Sequence, residues 1–267
     1  GLRHIQKKII VSIGDPQVRF KEDPVRSLRA IRLSNKLGFK IDNQVKDAIY
    51  DKGYLLAGIS NARLFDEFCK IFLNGMGEKN FTKLHSFNLI KYLVTTNPDS
   101  DDFSKNMMLS ALKNTDERVK NNQSVTPGFL LAALLWPILL ARCTKNNEIN
   151  IRKFFRSMDG VLREQQRLTA IPRKFNSYIK DIWVLQLKLH SRIKSQPYKT
   201  IRHPRFRAAY DFLLVRERAS NDQKGLGKWW TDFQKNDDAL RGSLISRMNE
   251  KSDIESSKIF GFYNELR

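Results

Sequence analysis

The chain has 267 residues, of which 41% are hydrophobic and 10% aromatic, so it can bury a core and is too apolar for wholesale disorder. Its 48 Lys and Arg residues against 28 Asp and Glu give a net charge of +20, which favours a polyanionic partner, either nucleic acid or an anionic membrane surface, over a merely solvated basic surface. We expect no membrane partner and no secretory signal, because no apolar run approaches the ~20 residues of a membrane span and no cationic segment precedes an apolar stretch at the start.

Helical patterns run through almost the whole sequence, and no stretch shows a sustained period-two alternation. We therefore predict an all-α fold. A Pro-initiated helix extends from about Pro24 to Leu37 and stops at Gly38, and a buried helix extends from Pro127 to Cys143. The other predicted helices, in chain order, cover residues 3–12, 61–73, 80–93, 107–119, 148–168, 172–192, 203–219 and 227–234.

These helices are divided into two predicted domains and a tail. Residues 1–120 form the first helical domain, residues 121–236 the second, and the polar residues 237–267 are expected to be irregular and mobile. The sequence opens at Gly1 without an initiator Met, which we interpret as the start of a fragment or processed product. Cys69 and Cys143 lie in apolar helical patterns, typical of buried thiols in a reducing, cytoplasmic compartment rather than of a disulfide framework or zinc site.

The most informative segment is the start of the second predicted helix. Asp23 precedes the Pro-initiated helix, where its carboxylate can cap free backbone amides, and Glu22 is four residues before Arg26, close enough to pair with it. Arg26, Arg29 and Arg32 recur every three residues and form a basic stripe on one side of the helix. A capped surface helix with local ion pairs is one interpretation of this pattern.

A second interpretation rests on hydrogen-bond polarity. A carboxylate accepts and a guanidinium donates, so Asp23 beside Arg26 imitates the edge of a nucleobase. Adenine and cytosine each present an amino group beside a ring nitrogen acceptor, which matches this pair. Guanine and uracil present the reverse order and leave groups unsatisfied, at a cost of roughly 1–3 kcal/mol each. The pair therefore selects A or C without choosing between them.

Glu22-Asp23-x-x-Arg26, followed by Arg29 and Arg32, resembles the nucleotide-reading motif of the class II nucleotidyltransferases, which comprise tRNA CCA-adding enzymes and bacterial poly(A) polymerases. The resemblance implies a neck, body and tail array of helices. It also implies that Asp23 and Arg26 contact the incoming base, that Glu22 steadies Arg26, and that Arg29 and Arg32 lie near triphosphate or primer.

Further segments extend the resemblance along the chain. Arg63-x-x-x-Glu67 resembles the next family motif, which braces the base-reading helix, although an i,i+4 ion pair explains the spacing equally well. Five later segments resemble bacterial poly(A) polymerases: Lys113–Asp116, Phe129–Trp136, Asp181–Leu187, His203–Asp211 and Trp229–Phe233.

The resemblance implies a part of an enzyme that adds AMP from ATP to RNA 3′ ends. In this interpretation residues 1–120 read the base and bind RNA, and residues 121–236 form the body and tail. One rival is a fragment of a tRNA CCA-adding enzyme, and another is an RNA-binding remnant without chemistry. The sequence assigns no oligomeric state.

Two features depart from the family pattern. The family's head domain carries a Gly-Ser phosphate loop and paired aspartates that hold Mg²⁺, and nothing in this sequence corresponds, so we expect no catalytic or metal-binding residue in this chain and no activity of the chain alone. Asp99, Asp101 and Asp102 are interpreted as solvated loop residues. The family also tends to carry an Asp and an Arg in the first short helix, where this chain has His4 and Val11.

The remaining candidate residues are basic or aromatic. Arg202, Arg205 and Arg207 form a possible RNA-backbone surface, in which Phe206 and Tyr210 either stack on bases or face the core. We interpret Trp229-Trp230 as a packing anchor, because adjacent helical residues point about 100° apart. His85 and His190 are assigned structural roles, and His203 is expected to start its helix.

Overall fold

The computed structural model describes residues 1–95, 102–145, 148–220 and 225–248. Within these ranges the fold is helical, as predicted, with two short two-stranded pairings. The helices are α1 (Leu2–Gln6), α2 (Pro16–Glu22), α3 (Val25–Leu37), α4 (Asn43–Lys52), α5 (Asn61–Phe72), α6 (Gly77–Ser86), α7 (Asp102–Lys120), α8 (Pro127–Cys143), α9 (Ile151–Leu168), α10 (Arg173–Leu189), α11 (Gln196–Ile201), α12 (Phe206–Ser220) and α13 (Leu226–Lys235). The strands are β1 (Ile9–Ile10), β2 (Lys40–Ile41), β3 (Thr144–Lys145) and β4 (Glu148–Ile149), with 3₁₀ turns at Gly53–Gly58 and Ile90–Tyr92.

The N-terminal part of the fold is built around α3, whose limits are those the sequence predicts. Pro24 precedes its first residue, and Gly38 ends it with φ 67°, a left-handed conformation that a residue without a Cβ adopts at little cost. The buried side of α3 carries Val25, Leu28 and Ile31, each at most 1% exposed. Burial of this apolar side fixes the rotation of the helix about its axis.

The predicted helix over residues 3–12 is wrong in its second half. α1 ends at Gln6, and β1 then pairs in parallel with β2, with Ile9 opposite Lys40 and Ile10 opposite Ile41. Two apolar β-branched residues in succession favour extended backbone when a partner strand is available. This pairing attaches the start of the chain to the far end of α3.

The predicted helix over residues 80–93 also begins and ends earlier than expected. α6 ends at Ser86, and Asn88 has φ 54°, which interrupts the helix before a 3₁₀ turn at Ile90–Tyr92. Asn tolerates this left-handed conformation better than most residues. The polar loop that was predicted to follow lies largely outside the described residues.

The second part of the fold surrounds α8. Every residue from Leu130 to Leu139 is buried, and α7, α9 and α10 pack on this helix. Thr126 caps its N-terminus, with Oγ1 accepting from the Phe129 amide at 3.1 Å, and Trp183 Nε1 donates to the Ala132 carbonyl at 2.9 Å. Among the described residues, no helix is both long enough and apolar enough to cross a membrane.

A second, smaller core lies at the C-terminal side. Trp229 and Trp230 are 8% and 0% exposed, and Trp230 Nε1 donates to the Leu189 carbonyl at 2.8 Å, as expected for a packing anchor. Residues 238–248 are helical and bury Ile245 in this core. The predicted irregular chain beyond Asp237 is therefore wrong for these residues, and the rest of the predicted tail lies outside the described ranges.

The proposed division of the chain stays a prediction. α7, which ends at Lys120, packs on α6 and on α8. One continuous apolar core contains residues from both sides of position 120, from Phe20 to Ala219.

Candidate nucleotide-binding site

Asp23 occupies the break between α2 and α3. Its backbone is extended, with φ −143° and ψ 91°, as expected for a residue that precedes proline. Its Oδ1 lies 3.3 Å from the amide nitrogen of Val25, so the carboxylate accepts from the first turn of α3 as the sequence predicts. The side chain is 19% exposed, so it is not completely closed off from solvent.

Three arginines surround this carboxylate. Arg63 Nη2 donates to Oδ1 at 2.8 Å and to Oδ2 at 2.9 Å. Arg29 Nη1 and Arg26 Nε lie 3.8 and 4.0 Å from Oδ2. The structure thus brings the predicted acceptor Asp23 and donor Arg26 side by side, while the closest contact of Asp23 is with Arg63 on α5.

The predicted pair between Glu22 and Arg26 is wrong. Glu22 Oε2 instead accepts from Arg19 Nη1 at 3.0 Å. An i,i+4 pair requires one continuous helix, and here α2 ends at Glu22 while α3 begins at Val25. Glu22 therefore stabilises α2, and the orientation of Arg26 is set from α3.

Glu67 is the second carboxylate at the site. Its side chain is 2% exposed, and Oε1 lies 3.4 Å from Arg29 Nε and 3.2 Å from Lys70 Nζ. The other oxygen, Oε2, is buried and has no hydrogen-bond partner within the described ranges. A carboxylate removed from water is stabilised by such cationic partners, so Glu67 holds Arg29 against α5.

Arg63 and Glu67 reach α3 from neighbouring turns of α5. Arg63 binds Asp23 just before α3, and Glu67 binds Arg29 within it. These cross-helix contacts are those of a brace, whereas the i,i+4 interpretation of the two residues pairs them with each other. The spacing Leu64, Glu67, Phe68 places Glu67 on the buried side of α5, a signal in the sequence that its charge needs a partner.

The arginines of the α3 stripe differ in their availability. The side chains of Arg26 and Arg29 are 46% and 43% exposed. Arg32 is half-buried, and its Nε is shielded from water with no hydrogen-bond partner in the described part of the chain. Arg26 is therefore the member most open to a ligand, since Arg29 is already tied to Glu67.

The basic residues near α12 are separated from their aromatic neighbours. Phe206 and Tyr210 are 5% and 6% exposed and belong to the smaller core, so of the two interpretations the core-facing one is correct. Arg205 lies over the Tyr178 ring at 4.9 Å, Arg207 Nε contacts Asp211 at 3.2 Å, and Arg202 is exposed. Of these five residues, only the three arginines are exposed enough to contact RNA.

The predicted histidine roles are consistent with their positions. His203 Nδ1 lies 3.1 Å from the Arg205 amide and accepts its hydrogen bond just before α12. His85 is exposed beside Phe81, and His190 lies 3.3 Å from Arg216. Across the ranges that the structure describes, no three His, Cys, Asp or Glu side chains form a group suited to a metal. Asp102 begins α7, and the other two aspartates of that cluster lie outside these ranges.

Two family models match the sequence. The model described as "Probable RNA and SrmB- binding site of polymerase A" matches residues 38–102, and the model described as "Polymerase A arginine-rich C-terminus" matches residues 146–258. The first contains Arg63 and Glu67, and the second contains the basic residues at 202–207.

Curated relatives extend this similarity over nearly the whole chain. Poly(A) polymerase I of Salmonella typhi is 33% identical over 261 residues, covering 94% of this chain and 56% of the relative. Poly(A) polymerase I of Escherichia coli is 35% identical over 263 residues, with the same shares. A CCA-adding enzyme of Geobacillus is 39% identical over 93 residues, covering 35% of this chain and 23% of the relative. The chain spans about half the length of the poly(A) polymerases that it matches.

Solved structures share the arrangement of helices. The Thermotoga maritima CCA-adding enzyme complexed with tRNA matches with a TM-score of 0.57 at 18% identity, covering 100% of this chain and 66% of that one. A tRNA nucleotidyltransferase complexed with a primer tRNA and an incoming ATP analogue gives a TM-score of 0.59 at 16% identity, covering 88% and 64%. At these identities the likeness establishes a class II nucleotidyltransferase fold.

Proposed function

We propose that this chain, which belongs among the relatives of bacterial poly(A) polymerase I, provides base selection and RNA binding for the template-independent addition of AMP from ATP to RNA 3′ ends. The observation that carries the proposal is the position of Asp23. Its half-buried carboxylate is fixed by Arg63 beside the exposed guanidinium of Arg26.

Base selection follows from the lone pairs that Asp23 retains. A carboxylate offers about four acceptor positions. Arg63 occupies one on each oxygen, and the Val25 amide occupies a second on Oδ1, so the retained position is on Oδ2, the oxygen nearer Arg26. A base that enters with an amino group beside a ring nitrogen donates to Asp23 and accepts from Arg26, as adenine and cytosine do. Guanine and uracil present an acceptor to the Asp23 carboxylate and a donor to the Arg26 guanidinium, so neither position forms a hydrogen bond. The preference for ATP over CTP rests on the relatives, since this pair of residues treats the two bases alike.

RNA binding is supported by charge and by position. The net charge of +20 favours phosphates through counterion release. The exposed side chains of Arg202, Arg205 and Arg207 lie in the arginine-rich C-terminal match, and the first match carries the description of an RNA-binding site. We assign RNA 3′ ends as the partner and polyadenylation in the cytoplasm as the setting.

The site does not fit a divalent metal ion. Asp23 lies within 4.0 Å of three guanidinium groups, and Glu67 contacts Arg29 and Lys70. Mg²⁺ binds to oxygen ligands such as free carboxylates. These two carboxylates are already paired with side-chain cations, which would repel the metal ion. The role of these residues is thus to bind and orient a base, and any metal chemistry needs ligands other than these.

The two rivals are weaker for separate reasons. The CCA-adding relatives match either a short part of the chain, 35% in the Geobacillus enzyme, or a longer part at lower identity, 28% over 82% of the chain in the Lactococcus lactis enzyme. An RNA-binding remnant without chemistry does not require the brace that fixes Asp23. The CCA-adding rival predicts incorporation of CTP as well as ATP by the joined protein described below, whereas the remnant without chemistry predicts that it incorporates neither nucleotide.

The test joins this chain to the part of the Salmonella typhi relative that the chain does not match. Asp23→Asn and Arg26→Lys should each lower the preference for ATP over GTP and UTP roughly tenfold to a hundredfold, because neither substitute reproduces the acceptor–donor edge. Asp51→Asn is the matched control. Asp51 lies on α4, where it accepts a hydrogen bond from Gln17 at 2.8 Å, and it is not among the cationic and acidic side chains around Asp23. Unchanged nucleotide preference with a collapse of RNA affinity would place Asp23 and Arg26 in the primer site instead.

A further inference from the structure

A polar cavity of about 220 Å³ lies between α7 and α12, and Asp23 is not among the residues that line it. Asn114 and Arg118 line it from α7, and Arg207 and Asp211 from α12. Leu214 and Val215 add an apolar wall. The cavity thus unites the segments Lys113–Asp116 and His203–Asp211, whose resemblance to poly(A) polymerases the base-reading site does not explain.

Asp211 is the central group of this cavity. Its side chain is 17% exposed, with Arg118 Nη1 at 3.5 Å from Oδ2 and Arg207 Nε at 3.2 Å from Oδ1. Burial raises the pKa of this carboxyl, against the lowering by both arginines. Each contact uses one position on one oxygen, so Asp211 retains acceptor positions. Arg207 is 74% exposed and can turn toward a ligand.

Asn114 supplies an unsatisfied group on the opposite wall. Its Oδ1 is shielded from water and has no hydrogen-bond partner among the described residues. A buried acceptor without a donor is costly, and a ligand N–H group relieves that cost when the Asn114 amide turns toward the cavity. The cavity therefore combines one unsatisfied acceptor on Asn114, a carboxylate with spare acceptor positions on Asp211, guanidinium donors and an apolar wall.

We propose that this cavity binds one nucleobase of the RNA strand, with preference for a base that carries an exocyclic amino group. The inference rests on the proposed RNA binding. A phosphate could use only the three arginines of the lining and would meet the carboxylates of Asp211 and Glu117, whereas a base can use both the donors and the acceptors. A heterocycle packs on Leu214 and Val215, donates its amino hydrogens to Asp211 and Asn114, and accepts from an arginine. The volume, below the ~300–1,000 Å³ of drug-sized sites, suits a single base.

The number of N–H groups on each base determines which bases this cavity should prefer. Adenine and cytosine bring two amino hydrogens and guanine brings a further ring N–H, whereas uracil brings a single ring N–H between two carbonyl oxygens. Uracil therefore donates to at most one of the two acceptor side chains, whereas the other three bases can donate to both. Oligo(A) should bind more tightly than oligo(U) of equal length.

The experiment measures the affinity of the full chain for labelled oligo(A) and oligo(U) at one salt concentration. Asp211→Asn should weaken oligo(A) binding roughly tenfold. It should leave oligo(U) binding unchanged or slightly tighter, because the substitution removes a negative charge. Asn114→Leu changes no charge and should also lower the ratio of the two affinities. Asp232→Asn is the control, since Asp232 forms an i,i+4 pair with Lys228 just as Asp211 does with Arg207.

The outcomes separate this inference from the proposed function. If the unaltered chain binds neither RNA, the proposed RNA binding fails and this inference fails with it. If it binds both and the ratio is the same in the unaltered chain, Asp211→Asn and Asn114→Leu, the cavity is not a base site although RNA binding stands. If Asp211→Asn changes the affinities for oligo(A) and oligo(U) equally, the inference is likewise overturned, and Asp211 is a structural ion-pair partner. If Asp211→Asn fails to fold, as judged by circular dichroism, Asn114→Leu decides the question.

Discussion

The carboxylate of Asp23, at the break before α3, lies 2.8 Å from the guanidinium of Arg63 on α5. A fixed acceptor is required if a base is to be read by hydrogen-bond polarity, because the acceptor–donor edge exists only while the Asp23 carboxylate stays beside the Arg26 guanidinium. Arg63 supplies that restraint by binding both carboxylate oxygens. In the proposed function Arg63 is a positioning residue, whose effect on a base passes through Asp23.

Arg63→Met should reduce nucleotide selectivity in the joined protein described above, by about tenfold, with RNA affinity changed less than twofold. The expected loss reflects a more mobile Asp23 carboxylate. Lys70→Met is the matched control, because it removes the same charge from the same helix without contacting Asp23. Equal losses of selectivity in both variants would show that the charge of α5, and not the contact with Asp23, sets the preference.

Glu67→Gln should lower the free energy of unfolding by roughly 1–3 kcal/mol, because Arg29 and Lys70 then lose a charged partner beside a buried group. The measurement is a urea titration followed by circular dichroism. Asp159→Asn, in an exposed pair with Lys180, should change the value by less than about 0.5 kcal/mol. A Glu67→Gln protein as stable as the unaltered chain would mean that the buried carboxylate contributes nothing to the brace.

RNA affinity should fall steeply with salt. For single strands the slope of log affinity against log salt concentration is about −0.7 for each phosphate neutralised, so several contacts give at least a tenfold loss between 50 and 200 mM salt. The titration uses a labelled single-stranded RNA and the unaltered chain. A flat dependence would indicate that the net charge of +20 is a solvated surface.

The pair formed by Arg142 and Glu164 should make stability depend on pH. A hydrogen bond from Arg142 lowers the pKa of Glu164 below its ordinary 4.5, aided by the charges of Arg142 and Arg167 and opposed by burial. A lowered pKa in the folded state gives stability that is present above the unfolded pKa and is lost as pH falls through the folded one. Glu164→Gln should therefore be less stable than the unaltered chain at pH 6, by an amount that shrinks toward pH 3. Arg142→Gln should remove the same pH-dependent part, and a pH-independent difference would contradict the assignment.

Both cysteines should react slowly with iodoacetamide in the folded chain. Burial raises the pKa of the half-buried Cys69 thiol to about 11, with a contribution from the charge of Asp66. Burial likewise raises the pKa of Cys143. Since the thiolate is the reactive form, alkylation at pH 8 should be slow until urea unfolds the protein. Cys69→Ser and Cys143→Ser assign any residual reaction, and one rapidly alkylated thiol in the folded state would show that its side chain opens to solvent.

The helices that the sequence predicts best are those with local start and stop signals. Pro24 and Gly38 bracket α3, and Pro127 and the long apolar run identify α8. The Asp23 and Arg26 pair was also predictable, because it lies within one local motif. Local hydrogen bonds and backbone conformations determine these features, so they can be deduced from neighbouring residues.

The features that were missed depend on distant parts of the chain. The parallel pairing of β1 and β2 requires a partner strand thirty residues away. Asp116 accepts from the amides of Gly77 and Glu78 at 2.7 and 3.0 Å, so it caps α6 from α7. The Arg63 contact with Asp23 spans forty positions. A sequence pattern identifies a charged residue that needs a partner and does not identify which distant residue is that partner.

The attachment of α3 at both of its ends has an entropic consequence. Asp23 is held at the N-terminal end by Arg63, and at the other end the Lys40 amide donates to the Lys8 carbonyl at 2.9 Å and the Asp42 amide to the Ile10 carbonyl at 3.0 Å. The conformational freedom of Asp23, the acceptor in the proposed function, is thus lost when the chain folds, before any base binds. An entering base loses its own freedom while Asp23 has little left to lose, so more of the hydrogen-bond energy is expressed as a difference between right and wrong bases.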